Sequence, residues 1–225
     1  MHYKAIIFDM DGTIIDTTHI WRQATKELIT NHGIDFDHEQ HQDLHMKLHG
    51  LGMKESCSII KNHFNLNASV TSLMEEKSQL AANLYQKNVC FIEGFQQFHM
   101  KVKEAQLKTG IATNADDVTL KITNSILNLE QFFGEHIYSI SQVNYICKPN
   151  PAIYLLAAQK LNVDPKECIA IEDSAHGIEA AKKAGIFCVG INTGKNRALI
   201  QHCDLIIDSY EELELSNLLT RSLPS

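Results

Sequence analysis

The chain has 225 residues, a formal net charge of −7, and 44% hydrophobic and 21% charged residues. That length holds one large domain or a core with a smaller one, and the composition is that of a globular protein with ample material to bury. The acidic balance argues against nucleic acid or an anionic membrane as a partner, since both want a basic face. An anionic small molecule would have to be met locally, by a few lysines or a metal.

The first predicted element is an apolar strand at 4–8. It starts so early that no signal peptide is expected ahead of it. No apolar run approaches the roughly 20 residues that span a bilayer. Residues 16–90 hold no convincing strand. Trp21, Ala24, Thr25, Leu28 and Ile29 mark an amphipathic helix ended by Gly33, and Leu44, Leu48 and Leu51 lie near a second. Ile59, Ile60 and Phe64 suggest a third helix, and Leu73, Leu80 and Leu84 a fourth. Gly94 sits near the return to further strands, predicted at 107–112, 137–140, 168–171, 187–191 and 205–207. Helices are predicted between them, over 151–161 with Pro151 in the first turn and over 174–184 with Gly185 as the stop. The strands at 4–8, 168–171 and 187–191 are nearly all apolar, as expected when both faces are buried. Strands alternating with helices imply an α/β fold with a parallel sheet and right-handed crossovers. The expected organisation is an α/β core of residues 1–15 and 91–225 with a helical insertion at 16–90.

The six cysteines, at 57, 90, 147, 168, 188 and 203, form no C-x-x-C. Buried, reduced thiols in a cytoplasmic protein are expected.

Ligands of open parallel sheets bind at the carboxyl ends of strands. Polar residues follow several of these strands. Asp9 and Asp11 come first, in Asp9-Met10-Asp11-Gly12-Thr13. Two residues apart, they face the same way, and like charges so close call for a cation or a shared proton. Thr113-Asn114 follow Ile111-Ala112, Lys148 opens Lys148-Pro149-Asn150-Pro151, and Glu172-Asp173-Ser174 follow Ile171. Carboxylates, a hydroxyl and one ammonium suit a phosphate ester with Mg²⁺. Plainer readings stand beside this one. Asp11-Gly12 is ordinary turn chemistry, Thr113 ends a strand, and Lys148 sits in a loop. Glu172 and Asp173 suit a helix N-terminus, Ser174 reads as an N-cap, and Asn114 and Asp116 either touch substrate or cap the next helix.

Taken in order, Asp9-x-Asp11-Gly12-Thr13, Thr113, Lys148-Pro149-x-Pro151 and Glu172-Asp173-Ser174 resemble the motifs of the haloacid dehalogenase superfamily, in members with a helical cap inserted after the first strand. The resemblance covers essentially the whole chain. It implies Asp9 as the nucleophile that forms an aspartyl-phosphate. It implies Asp11 as the acid that protonates the leaving group and then deprotonates water. Thr113 and Lys148 would hold the phosphoryl group. Asp9, the Asp11 backbone carbonyl and Asp173 would bind Mg²⁺, with Glu172 as a further ligand or close behind.

Dehalogenases of this superfamily lack the second aspartate, so Asp11 points to phosphoryl transfer. In its mutases a cap histidine pairs with that aspartate and a cap arginine binds a distal phosphate. Those places hold Trp21, with His19 nearby, and Met53 in Gly50-Leu51-Gly52-Met53-Lys54. Thr13 also fits the phosphatases. The expected function is a Mg²⁺-dependent phosphatase of a small phosphorylated metabolite, with a hexose-phosphate mutase and a non-catalytic phosphometabolite-binding protein as alternatives. Trp21, His19, Asn114, Gly50 and Lys54 are the expected substrate contacts, and a monomer is expected. His38, His41, His45 and His49 form a run in which 41, 45 and 49 share a helical face; the expectation is an exposed polar face rather than a Zn²⁺ site.

Overall fold

The computed structural model describes residues 3–37, 41–48 and 50–220. Strand β1 (Ala5–Phe8) leads into four helices, α1 (Thr18–Asn31), α2 (Gln42–Leu48), α3 (Met53–Phe64) and α4 (Val70–Asn88). Then come α5 (Phe95–Glu104), β2 (Lys108–Ala112), α6 (Asp117–Leu127), α7 (Glu130–Phe133), β3 (Ile137–Tyr138), α8 (Ala152–Leu161) and β4 (Cys168–Glu172). The chain closes with α9 (Ala175–Lys183), β5 (Phe187–Ile191), β6 (Leu205–Ile207) and α10 (Leu215–Leu219).

Among the described residues the strands form one six-stranded sheet in the order β3-β2-β1-β4-β5-β6. Every pairing is parallel, with Phe8 opposite Ile111 on one side and Ile171 on the other. Parallel strands need helical crossovers, which cover both faces, so β1, β4 and β5 are buried throughout. Alternate β1 residues enter opposite layers. Ile6 and Phe8 pack with Phe95, Phe98, Val102 and Phe133 of α5 and α7. Ala5 and Ile7 pack with Ile153, Ala157 and Leu161 of α8 and with Ile178 and Ala181 of α9. Truncating Phe8 to alanine removes the centre of the first layer, at a cost of about 3–5 kcal/mol.

The inserted helices have their own cluster of Leu28, Ile29, Phe36, Leu44, Cys57, Ile60, Leu66 and Leu73. They rejoin the core where Ile20 and Ala24 of α1 and Ala81 and Tyr85 of α4 enter the first layer. The entry and exit of the insertion run side by side, with the amide of Asp16 donating to Cys90 O (2.9 Å) and that of Ile92 to Ile14 O (3.0 Å).

The predicted strand at 137–140 stops at Tyr138 because Ser139 opens a 3₁₀ turn over Ile140–Val143, its amide donating to Gln142 Oε1 at 3.1 Å. The cysteines are free; Cys57, Cys168 and Cys188 are buried as expected, whereas Cys90 is exposed. Of the histidine run, His38 and His49 and the side chain of His45 lie outside the described residues. His41 precedes α2 rather than joining it, and its ring stacks on Phe36 at 4.9 Å.

Candidate active site

The order of the sheet reverses at β1, and β1, β2 and β4 lie side by side with their carboxyl ends together. Asp9 extends the β1 ladder by one bond, its amide donating to Ile171 O at 3.0 Å. The chain then turns tightly, with the amides of Ile14 and Ile15 both donating to Met10 O. Gly12 makes this possible. Its φ is +82°, and a Cβ there would lie 2.0 Å from Asp173 Oδ2, so only glycine lets the turn pass over that carboxylate.

Lys148 reaches the centre from the segment before α8. Its Nζ donates to Asp9 Oδ1 (2.5 Å), Glu172 Oε1 (2.7 Å) and Ala112 O (2.8 Å). Its side chain is only 2% exposed. Burial alone would lower its pKa, but Asp9 and Glu172 outweigh burial and hold it above the ordinary lysine value. Burial pushes Asp9 well up; Lys148 opposes this, and Glu172 and Asp173 add to it. Glu172 also accepts from the Tyr154 hydroxyl (2.7 Å) and the Ser174 hydroxyl (3.2 Å).

Oxygen atoms of Asp9, Glu172 and Asp173 lie within 4.8 Å of one another, all three residues being buried. Three carboxylates face one ammonium, so the ionised cluster carries an excess of two negative charges. An all-oxygen donor set with that excess fits a hard divalent cation.

Asp11 faces the inserted helices. Its Oδ1 accepts from the Tyr85 hydroxyl (2.5 Å) and Trp21 Nε1 (3.2 Å), and Thr17 adds a further side-chain hydrogen bond. Burial raises its pKa and these donors pull it down, with burial prevailing. Asp9, Asp11, Thr113, Asn114, Lys148 and Asp173 all line one cavity of about 1320 Å³, roofed by residues of α1, α3 and α4. An acidic centre with a buried ammonium and a second carboxylate two residues on is equipped for nucleophilic and acid–base chemistry on an anionic ligand.

A model of the haloacid dehalogenase-like hydrolases matches residues 6–191. The chain belongs to this family of enzymes. Among its relatives, the phosphorylated carbohydrates phosphatase of Thermotoga maritima is 30% identical over 187 residues, 81% of this chain and 82% of the relative. The β-phosphoglucomutase of Bacillus subtilis is 30% identical over 223 residues, 94% of this chain and 92% of the relative. Among solved structures, a mutant of CbbY from Rhodobacter sphaeroides in complex with xylulose-(1,5)bisphosphate superposes with a TM-score of 0.81. That pair is 26% identical, covering 96% of this chain and 99% of the other.

Within this hydrolase, the residues singled out from the sequence separate into those that meet the cavity and those that support it. Thr113 lines the cavity, and its hydroxyl accepts from the amide of Ala115 at 3.0 Å. Asn114 joins three parts, its Oδ1 accepting from the amide of Lys148 (3.0 Å) and its Nδ2 donating to Gly50 O (3.3 Å). Asp116 caps α6 and Ser174 caps α9, as their positions allow. Gly50 and Lys54 line the cavity, as does Trp21. His19 does not. It lies about half exposed, 3.5 Å from Asp16, because on α1 it points away from the face that carries Trp21.

Tyr85, Tyr154, Lys77 and Ser56 were not singled out from the sequence. Tyr85 adjoins Leu84 in the fourth predicted helix, and Tyr154 falls within the helix after Lys148; neither carries a local signal beyond being a polar-tipped aromatic in an apolar setting.

Proposed function

We propose that this chain is a Mg²⁺-dependent phosphatase of a small phosphorylated metabolite, a sugar phosphate or similar ester, acting through an aspartyl-phosphate on Asp9. The observation that carries this reading is Asp9 held at 2.5 Å by Lys148, with Asp11 in the same cavity anchored on its cap side. Residues 16–90 serve as the cap over a core of 1–15 and 91–225, and a monomer suffices because the cap roofs its own chain's cavity.

The Asp9 carboxylate attacks phosphorus, and the bond to the leaving-group oxygen breaks. Lys148 fixes that carboxylate and screens its repulsion from the incoming dianion. The Asp11 carboxyl gives its proton to the departing oxygen, then takes one from the water that releases phosphate from Asp9. Thr113 and Asn114 offer hydrogen bonds to the phosphoryl oxygens. Asp9, Asp173 and the Asp11 carbonyl would hold Mg²⁺, whose bound charge supplies the remaining neutralisation of the phosphoryl group. Glu172 already accepts from Lys148, Tyr154 and Ser174, so its chief task is to hold Lys148 in place.

Hydrolysis is favoured over isomerisation because an indole N–H meets Asp11 from the cap. It donates a hydrogen bond but carries no titrating proton. Met53, an apolar residue, also lines the roof. The test is inorganic phosphate release from sugar phosphates, phosphoglycolate and nucleotides, with Mg²⁺ or EDTA, for wild type and Asp9→Asn. The expected result is release that EDTA and Asp9→Asn each abolish. Isomer formation without release would replace hydrolysis by phosphoryl return, and ester binding with neither product would leave a binding protein.

A further inference from the structure

Among the described residues, two of the large apolar side chains that stay exposed also line the cavity, Tyr145 at 66% and Val118 at 60%. Both belong to the core. Val118 lies in the first turn of α6, and Tyr145 lies in the segment between β3 and α8 that carries Lys148. The backbone at Tyr145 is left-handed, with φ at +58° after +55° at Asn144. Asparagine tolerates this region, whereas the β-carbon of a bulky residue is crowded there. The fold holds the conformation by main-chain bonds. The amides of Asn144 and Tyr145 both donate to Ile140 O, the second at 2.8 Å, and that of Ile146 donates to Val143 O at 3.1 Å. The reversal carries the chain back so that Lys148, three positions on, reaches Asp9. Glycine or asparagine would make the same turn with less strain. Tyrosine stands there instead, and among the described residues its ring packs on no other ring and its hydroxyl has no partner. Backbone outliers of this kind cluster where a ligand is met, and this one lines a ligand-sized cavity.

We infer that Tyr145 is a stacking plate on the core side of the cavity, taking the C–H face of a cyclic sugar in the leaving group. This rests on the phosphatase reading and narrows its substrate class from phosphate esters in general to those of ring-form sugars. One face of a sugar ring is largely C–H and apolar, while its hydroxyls project around the edge. The negative face of an aromatic ring attracts such polarised hydrogens. Tyrosine offers that face with only two side-chain torsions to order. The hydroxyls at the edge need polar partners, and Asn114, Thr119 and Asn196 line the same cavity. Val118 adds a second exposed apolar surface there. Because the plate sits on the short segment that ends at Lys148, a ring stacked on it is held in register with the group that orients Asp9.

The experiment pairs esters of equal charge and carbon number, ring against open chain. Glucose 6-phosphate is set against sorbitol 6-phosphate, and fructose 6-phosphate against mannitol 6-phosphate, with phosphoglycolate and adenosine monophosphate beside them. Phosphate release gives KM and kcat for wild type, Tyr145→Asn and Tyr145→Phe. Calorimetry gives Kd for each protein carrying Asp9→Asn in addition, and thermal midpoints are recorded. The expected result is that wild type prefers the ring member of at least one pair. Tyr145→Asn should lose this preference, with KM and Kd for that ring ester raised about threefold to tenfold and kcat little changed. Open-chain esters and phosphoglycolate should be unaffected, and Tyr145→Phe should keep the preference, because the ring rather than the hydroxyl does the stacking. Since asparagine accepts a positive φ, Tyr145→Asn should melt no lower than wild type. No ring preference in wild type, an equal loss for both members of each pair, a loss confined to the nucleotide, or a lowered midpoint would each overturn the plate and leave the phosphatase standing. No phosphate release from any ester, with Mg²⁺ present, would overturn the phosphatase reading. Kd would then decide the plate alone, and equal values for ring esters with and without Tyr145→Asn would overturn it too.

Discussion

Lys148 at the core end of the cavity and Lys77 at the cap end are both buried, at 2% and 4% exposure, yet their surroundings have opposite character. Lys148 meets two carboxylates and a carbonyl, all from strand ends or the segment just beyond them. Lys77 meets one hydroxyl on a neighbouring helix. Accordingly the pKa of Lys148 is held up and that of Lys77 is pulled down, to about 8. At the core end the ammonium is fully paired and the carboxylates outnumber it. At the cap end a hydroxyl and an indole face take the place of the carboxylates. Under the proposed function, chemistry falls to the rigid sheet and selection to the helices joined to it by two short crossing segments.

The hardest way to break this contrast is Lys148→Met. It leaves Asp9 and Glu172 buried without their cation, and about 3–5 kcal/mol of stability should be lost along with turnover, read from urea unfolding and phosphate release. A midpoint unchanged from wild type would mean that the core end does not depend on the pair. Next in size is Tyr85→Phe, which removes the shortest hydrogen bond between cap and Asp11. It should lower kcat about tenfold with little change in KM, since a bond to a charged group is worth ~1.5–3 kcal/mol and Trp21 and Thr17 remain. An effect on KM alone would place Tyr85 in binding.

The seam between the two regions offers a sharper test. A Cβ on Gly52 would lie 2.6 Å from Cys147 Sγ, and one on Gly50 2.6 Å from Ser174 Cβ. Gly52→Ala should pry the cap loop from the core and reduce kcat/KM severalfold. Combining it with Cys147→Ala, which clears the obstructing sulfur, should restore most of the loss in steady-state assays.

A pH-dependent effect concerns the core layer itself. His99 is 1% exposed among Phe8, Phe95, Phe132 and Phe133. Burial, helped by Lys103, lowers its pKa from 6.5 to about 4. Between those values the unfolded chain binds a proton that the folded one refuses. The stability contribution is therefore complete above pH 6.5 and lost as pH falls toward 4. The urea midpoint of wild type should drop more between pH 7 and pH 4.5 than that of His99→Gln.

Much of the core was legible because its signals are local. The apolar runs at 168–171, 187–191 and 205–207 appear as strands within one residue of the expected bounds, and Ser174 caps the helix its position announces. The strand predicted at 137–140 is shorter in the structure because the apolar Ile140 suits a strand and a turn alike, and the Ser139–Gln142 bond selects the turn. The sequence puts Trp21 at the position that faces Asp11 with His19 nearby, and helix phase turns Trp21 in and His19 out.

The alternation of strands and helices, the helical insertion and the residues that end each central strand are all written locally along the chain. Those follow from period, apolar runs and capping, which act over a few positions. Which distant side chains meet is settled by the packing of the folded chain. Lys148 closes on Asp9 across 139 positions, and Tyr85 reaches Asp11 across 74. The same packing buries Lys77 facing a hydroxyl rather than a carboxylate. Such pairings depend on the angle at which helices cross and on how closely a glycine loop approaches the sheet. No local pattern along the chain encodes either.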